Sequence, residues 1–549
     1  MELIDIDKNY EAITEICDVA SNGDGIAKID GYPLFIKNAV TGDRLRIKVT
    51  KTNKNYGFAK ILEVLSPSPY RREPVCKYFE KCGGCDFMHI DYEYQLKLKK
   101  DFVTGNMQRI GGYAADEYSF EGIFGAKNTL GYRNKAQFPV GIQNQKAVCG
   151  FYSKKSHDIV ACNNCLIQNE DINKAVSIIL SYINDCRISV YDESTHRGIM
   201  RHIYIRSGSK TNELMAVLVT NTEKPLKNEK ELINRLKALP NMKCIVQNIN
   251  TRKGNLVLGE KNRILYGSGY ITSCIGNLKF KISPHSFFQI NGEQTEVLYS
   301  KALEYADIKS GETVFDLYCG TGSISLFLAQ KAKKVIGVEI VEQAVRNAIE
   351  NAELNNIDNA EFYAGDCAET VKRLMKNGEK ADIVVVDPPR KGCSEDLLNL
   401  IHEMAPKKLV YVSCNSATLA RDTALLKEYG YILDKLCAVD MFPMSVHVET
   451  VVKLVRKTPD AYIDLKVDMD ELDLTASEAK ATYEEIKQYI LDKYDTKVSN
   501  LYIAQVKEKY SIIERENYNK PKSENAKQPQ CPPEKVEMIK DALKHFKMI

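Results

Sequence analysis

The sequence predicts an α/β protein of several domains whose largest part is a doubly wound, mostly parallel sheet. Three observations carry that expectation. From about residue 276, apolar runs (TVFDLY, KVIGVEI, AEFYAG, ADIVVVD, KLVYVSC) alternate with helical stretches such as AVRNAIENAELN and SEDLLNLIHEM, as parallel strands do when crossover helices bury both faces. Residues 12–65 instead break into five short strand-like runs separated by turn residues, the spacing of a small OB-like β-barrel. And 549 residues exceed what one core holds, so three or four domains are required.

Composition narrows the class. The chain is 44% hydrophobic and 27% charged, with a net charge of +3, as expected of a globular protein. Its start, MELIDIDKNYEAITEI, is acidic where a secretory signal needs a basic start and an apolar run. No stretch approaches the apolar length that spans a bilayer. A cytoplasmic location is expected, and in that reducing compartment sixteen cysteines point to metal binding, catalysis or burial rather than disulfides.

Taken in order, residues 1–66 form the barrel. Seven basic residues (Lys37, Arg44, Arg46, Lys48, Lys51, Lys54, Lys60) face Asp43 alone, with Tyr56 and Phe58 interleaved. Cations along a backbone and aromatic faces under bases bind single-stranded RNA. LSPSPYRREP (65–74) reads as a proline-marked linker. Residues 67–275 read as a central α+β domain, including a helix in 92–112 that ends at Gly111-Gly112 and can pack with the next domain. Residues 276–456 hold the doubly wound sheet and end in a hairpin-like pair of strands. Residues 457–549 read as a small helical C-terminal extension. It begins acidic, opens a helix at a Thr475–Glu478 capping pattern, and contains the polar, proline-rich linker NYNKPKSENAKQPQCPP.

VFDLYCGTGSISLFLA places Gly320 and Gly322 between a strand and a helix, where the backbone can approach a ligand and helix N–H groups are free. Strand ends at Asp316, Glu339, Asp366 and Asp387 add carboxylates, with Glu339 placed for ribose hydroxyls. This series describes an S-adenosylmethionine site better than a dinucleotide site. Asp387 opens VVVDPPRKG, where two prolines force a rigid extended turn. Arg390 stands where amino-group methyltransferases carry an aromatic residue, which argues against methylation of an exocyclic amine.

Cys414 lies at the end of the strand KLVYVS, before the helix SATLARDTALLKEYG, whose N-terminal dipole favours a thiolate. SVHVET offers Glu449 as a base, with His447 two residues earlier on the same strand face. Carbon 5 of a uracil becomes nucleophilic when a thiolate adds at carbon 6, and a base must later remove the carbon-5 proton. A cysteine and a carboxylate are what that chemistry needs.

CKYFEKCGGC gives Cys76-x5-Cys82-x2-Cys85, and SHDIVACNNC offers Cys162 and Cys165 as a fourth ligand. Four thiolates suit Zn²⁺ or a [4Fe–4S] cluster, and spacing does not choose between them.

The set CKYFEKCGGC, SHDIVACNNC, FFQINGEQTEVLY, DLYCGTGSISL, GVEI, VVVDPPRKGC, VYVSCNSATLARD and HVET resembles the bacterial RNA uracil-5-methyltransferases of the RumA/TrmA type with an N-terminal TRAM domain. The likeness covers about 1–456; Ser416 departs from it, since a proline commonly follows the asparagine. The resemblance implies a Rossmann-like methyltransferase domain and a [4Fe–4S] cluster on Cys76, Cys82, Cys85 and Cys165. It implies methyl-donor contacts from Gln289, Tyr318, Glu339 and Asp387, with Cys414 as nucleophile and Glu449 as base; Asp366 at its strand end and Ser323 after the glycine loop are expected in the same cofactor site. Phe287 and Phe288 read as core from the residues alone; the resemblance sets their segment beside a flipped base, since carbon 6 cannot be reached in a stacked helix. It further implies carbon-5 methylation of a uridine in 23S rRNA. The competing expectations are a tRNA T-loop uridine, or an inactive RNA-binding or ribosome-assembly factor. No membrane and no obligate protein partner are expected.

Overall fold

In the computed structural model, residues 6–154, 156–457, 482–510, 531–546 and 548–549 are described. They divide into two compact units at Thr458/Pro459.

The first unit begins with β1 (Glu11–Glu15), β2 (Asp18–Val19), β3 (Gly25–Ile29), β4 (Tyr32–Ile36), β5 (Arg44–Thr52) and β6 (Gly57–Ser66), in the order β1-β5-β6-β4-β3-β2. Alternation decides which way each side chain points. In β5, Leu45, Ile47 and Val49 are buried while Arg44 and Arg46 face outward. Asp43 is not the surface counter-charge its position suggests. It is fully buried, accepts the Val40 and Ser68 N–H groups, and pairs with Arg71 at 2.5 Å. Residues 65–74 are accordingly packed rather than free: Tyr70 stacks on Tyr94 at 3.8 Å, and Arg72 N–H donates to His89.

α1 (Tyr92–Arg109), capped by Asp91, and β7 (Ser119–Phe124) follow. The central sheet comprises β8 (Lys135–Gln143), β9 (Lys146–Tyr152), β10 (Ile159–Ala161), β11 (Met200–Ser207), β12 (Leu214–Thr220), β13 (Met242–Ile249) and β14 (Lys261–Tyr266), in the order β10-β9-β8-β11-β12-β13-β14. α2 (Glu170–Asp185) buries Ile172, Val176, Ile179 and Ile183 at helical spacing in one core with sheet residues Phe138, Ile203 and Leu218, and α3 (Glu229–Lys237) adds Leu232 and Leu236. A hairpin, β15 (Ile271–Ile275) and β16 (Leu278–Ile282), leads into the catalytic part.

That part runs α4 (Gly292–Ala306), β17 (Thr313–Leu317), α5 (Ser323–Ala329), β18 (Lys334–Glu339), α6 (Glu342–Leu354), β19 (Ala360–Ala364), α7 (Cys367–Lys376), β20 (Ile383–Val386), α8 (Glu395–Met404), β21 (Lys408–Ser413), α9 (Ser416–Glu428), β22 (Tyr431–Val439) and β23 (Glu449–Arg456). Its eight-stranded sheet has the order β19-β18-β17-β20-β21-β23-β22-β7. Val385 and Val410 enter the core on one face, Val384 and Leu409 that on the other, so the doubly wound expectation holds. β17 lies between β18 and β20, both parallel to it; at such a switch point the strand ends open a ligand crevice. Two elements ahead of the central sheet join this layer: β7 pairs with β22, and Asn106 of α1 donates to Ser416 Oγ of α9 at 2.8 Å.

The second unit contains α10 (Tyr483–Tyr494), α11 (Asn500–Lys509) and α12 (Pro533–His545), sharing a core of Ile486, Ile490, Ile503, Val506, Ile539 and Leu543. The Thr475–Glu478 pattern lies outside the described residues, as does most of the proline-rich linker. α10 opens instead on a capping box of Thr482 and Glu485. Among the described residues no helix is long and apolar enough to cross a membrane.

Candidate active site and cysteine cavity

The crevice at the switch point is a cavity of about 910 Å³, lined by Tyr318, Ser323, Glu339, Asp366 and Asp387 among others. Gly322, at φ +79°, opens α5, and a Cβ there would come within 2.9 Å of Ala348, so the close turn requires glycine. Glu339 accepts the N–H groups of Gly320 (3.1 Å) and Val341 (2.9 Å), holding the loop with its carboxylate at the cavity wall. Asp366 caps α7 through the N–H groups of Ala368 and Glu369. Ser323 Oγ lies 2.8 Å from the Tyr299 hydroxyl. Burial pushes the Asp387 carboxyl up to about 7. The fully buried Asp316 also rises to about 7, mainly from burial, although Ser325 donates to it.

Gln289 is the one expected donor contact that does not line this cavity; it is buried two residues beyond Phe287. Phe287 departs from the core reading. It is 65% exposed and lines the cavity, whereas Phe288 is buried at 4%.

β21 and β23 pair antiparallel up to Ser413↔Thr450. One step further along that register Cys414 faces Glu449. The turn after Cys414 is tied to the Asp-Pro-Pro turn, because Asn415 Nδ2 and Thr418 Oγ1 both donate to Arg390 O (3.1 and 3.3 Å). Glu449 is 4% exposed, and burial, with Asp387 adding, pushes its carboxyl up to about 8. The Cys414 thiol is not depressed, as the helix dipole alone suggests. Burial first, then Glu449 and Asp387, push it up to about 11, and Arg390 pulls it down. Arg390 opposes the rise of Glu449 as well, so it is the counter-charge of the pair. Its place three residues after Asp387 was the sequence signal for that role. His447 lies in the turn before β23, not on the strand, and burial lowers its pKa.

Cys76, Cys82, Cys85, Cys162 and Cys165 line a separate cavity of about 260 Å³. Burial raises the thiols of Cys82, Cys85 and Cys165, and neighbouring thiols raise them further. Backbone N–H groups oppose this at two positions: Gly84 donates to Cys82 Sγ (3.4 Å), and Ile167 and Gln168 donate to Cys165. The Cys165 backbone is clamped by Asn173, which accepts its N–H and donates to its carbonyl. Among the described residues, no group of three or more His, Cys, Asp or Glu is placed to hold a metal ion.

A third cavity, about 1050 Å³, lies between the barrel and the cysteine-bearing segment. Phe35, Tyr56 and Phe58 form an aromatic cluster in it, with centroids 5.7–6.0 Å apart, and Lys37, Lys51 and Lys154 line it. The sequence singled out Tyr56 and Phe58 but not Phe35 or Lys154. Two outer cations of the barrel, Arg46 and Lys48, are paired with Glu63 and Glu11.

A strand-end carboxylate series at a switch point, a cysteine and a glutamate that both feel its Asp387, and a basic barrel define an S-adenosylmethionine-dependent RNA methyltransferase. The profile described as tRNA (Uracil-5-)-methyltransferase matches residues 91–457, and the TRAM domain profile matches 14–62. The chain belongs to the tRNA (uracil-5-)-methyltransferase family. It is 46% identical over 450 residues to an uncharacterized RNA methyltransferase of Clostridium tetani, covering 82% of this chain and 97% of that one. A Bacillus cereus relative of the same description is 46% identical over 447 residues, covering 81% and 97%. Among solved structures, the Pyrococcus abyssi tRNA (uracil-54, C5)-methyltransferase in complex with S-adenosyl-L-homocysteine matches with a TM-score of 0.65 and 26% identity. It covers 81% of this chain and 100% of its own.

Proposed function

We propose that the protein methylates carbon 5 of a specific uridine in 23S rRNA through a covalent adduct on Cys414. The observation that carries this reading is the pair of groups just past the end of the β21–β23 ladder: Cys414 follows Ser413, Glu449 precedes its partner Thr450, and both feel the carboxylate of Asp387, which lines the donor cavity. Cys414 adds as thiolate to carbon 6, and the resulting enolate attacks the donor's methyl group from carbon 5. Glu449 then takes the carbon-5 proton, the carbon 5–carbon 6 double bond re-forms, and the thiolate leaves. Arg390 offsets the negative charge that otherwise holds Cys414 protonated. A bound sulfonium donor beside Asp387 adds a second positive charge and favours the ionised forms of Cys414 and Glu449.

A [4Fe–4S] cluster held by Cys76, Cys82, Cys85 and Cys165 is the group this reading assigns to the cysteine cavity, because soft thiol donors line it. Backbone N–H groups serve both Cys162 and Cys165, and the Asn173 clamp on the Cys165 main chain favours Cys165 as fourth ligand. Such a group supplies cross-linking of the segment; no catalytic step above passes through it. RNA bases stacked on Tyr56 and Phe35, with phosphates at Lys37 and Lys51, suit the third cavity. The cytoplasm, where such RNAs reside, completes the proposal.

The tRNA reading has its own support, because the solved structure that matches 81% of this chain is a tRNA (uracil-54, C5)-methyltransferase. Incubation with 23S rRNA fragments and with tRNA, followed by mass mapping of 5-methyluridine, separates the two. Methylation confined to the tRNA T-loop refutes the 23S proposal. Absence of a Cys414-linked adduct on 5-fluorouridine RNA refutes the covalent mechanism.

A further inference from the structure

The strand carrying Glu449 is entered from a turn, residues 440–448, whose main chain is held largely by side chains from elsewhere. The buried Asp440 carboxylate accepts from Lys99 Nζ (2.6 Å) and from the Tyr92 hydroxyl (2.8 Å). Lys99 also donates to Phe442 O (3.1 Å). Gln294 donates to Asp440 O (3.1 Å), Asn291 to Met441 O (3.2 Å), and the Tyr132 hydroxyl to Pro443 O (3.0 Å).

The turn's apex is Met444, a non-glycine residue at φ +67°, a conformation kept only where surrounding contacts impose it. Its carbonyl accepts the N–H groups of Asp86 (2.9 Å) and Phe87 (3.0 Å), directly after Cys85. Its N–H donates to Gln95 Oε1 (3.1 Å). Gln95 is fully buried, and its Nε2 donates to Phe87 O (3.0 Å) and Ile90 O (2.9 Å). One α1 side chain thus ties the cysteine-bearing segment to the turn. Met444 packs against the cluster of Phe79, Met88 and Ile167, as do Cys76, Cys85 and Cys165, and Val446 packs against the cluster that holds Val19 and Phe87.

We propose that Gln95 is a positioning residue for proton abstraction: with the Lys99–Asp440 pair it fixes the 440–448 turn, and so transmits the seating of residues 76–90 to the Glu449 carboxylate. The inference rests on Glu449 being the base. In that step the carbon-5–hydrogen bond breaks, the proton goes to Glu449, and its electron pair restores the double bond and expels the Cys414 thiolate. A base acts only within hydrogen-bond reach of the proton it takes, so this step depends on the turn more steeply than thiol addition from β21 does.

The test compares wild type, Gln95→Met and Gln95→Glu in the full chain. Gln95→Met is near in volume and removes every hydrogen bond of the Gln95 side chain, that to Met444 Sδ (3.4 Å) included; Gln95→Glu keeps the acceptor for Met444 N–H. With S-adenosylmethionine present, adduct formation on 5-fluorouridine RNA reads thiol addition and methyl transfer, because fluorine cannot leave as a proton. Tritium release from [5-³H]uridine RNA reads proton loss. In Gln95→Met we expect 5-fluorouridine adduct formation to stay within about threefold of wild type, while tritium release falls on the order of 10- to 100-fold and adduct accumulates on ordinary uridine RNA. Gln95→Glu lies between, and it carries the comparison if Gln95→Met does not fold. Both readings falling in proportion, or neither changing, overturns the proposal. Glu449→Gln run alongside tests the base itself: unaltered tritium release there removes the premise and the inference with it.

Discussion

Replacing Glu449 with glutamine separates the cost of a buried carboxylate from its chemical use. Glu449 is 4% exposed, and burial moves its carboxyl from 4.5 to about 8, with Asp387 adding and Arg390 opposing. Between those values the folded protein binds the proton more tightly than the unfolded chain, so this group's contribution to stability falls as pH rises through the window. At about 1.4 kcal/mol per pH unit the full window comes to roughly 5 kcal/mol. Relaxation and water entry reduce it to on the order of 2–3 kcal/mol. Glutamine stays neutral, so the donor-free variant should match wild type near pH 5 and exceed it by about that margin near pH 9, read from urea midpoints at the two pH values. Activity should move oppositely: loss of a positioned base slows carbon-5 proton release by about 10²- to 10⁴-fold, and adduct should accumulate on ordinary uridine RNA. A variant less stable than wild type near pH 9, or one that still releases the proton at the wild-type rate, would refute the reasoning.

Three further outcomes follow from the same geometry. Alkylation of Cys414 in donor-free protein, followed by peptide mass spectrometry, should rise with pH toward a midpoint near 11; saturating S-adenosylmethionine should lower that midpoint, and an unchanged midpoint contradicts the charge argument. Cys165→Ala should lose iron and acid-labile sulfide after reconstitution while Cys162→Ala keeps them, since Asn173 clamps the Cys165 main chain; equal retention in both contradicts the assignment. Tyr56→Ala should weaken single-stranded RNA binding by about 1–3 kcal/mol. Lys37→Gln should reduce the salt slope of binding by about 1. Both should leave donor affinity intact, as measured by calorimetry.

The catalytic sheet was legible because burial on both faces writes strands as continuous apolar runs, and a glycine loop between strand and helix marks the switch point. That Cys414 and Glu449 come to one edge of the sheet was legible because each stands at the end of an apolar strand run. β7 was not, since SFEGIF is partly buried along nearly its whole length and its partner β22 lies some 300 residues away. Asp43 looked like a surface acid because sequence shows charge but not the Arg71 and backbone donors that bury it. Phe35 and Lys154 reach one groove from separate segments, which no local pattern reveals. The C-terminal unit offered two similar Thr-x-x-Glu patterns, and only that at Thr482–Glu485 is described as a cap.

The barrel and the cysteine-bearing segment are more than RNA handles attached to a finished catalytic domain. The uracil-5-methyltransferase profile begins at residue 91, the N-cap of α1, so Tyr92, Gln95 and Lys99 belong to the matched span while Asp86 and Phe87 precede it. Main-chain support for the 440–448 turn is therefore split. Lys99, Gln294, Asn291 and Tyr132 hold its first carbonyls from within the matched span. The Met444 carbonyl is served by Asp86 and Phe87 from outside it. Val446, next but two before Glu449, packs against the barrel's Val19, and a Cβ on Gly23 would come within 3.2 Å of it. A chain lacking residues 76–90 would leave the Met444 carbonyl short of both donors at a left-handed residue, five positions before Glu449. The cysteine-bearing segment thus contributes to how Glu449 is held, and through it to the proton abstraction proposed above.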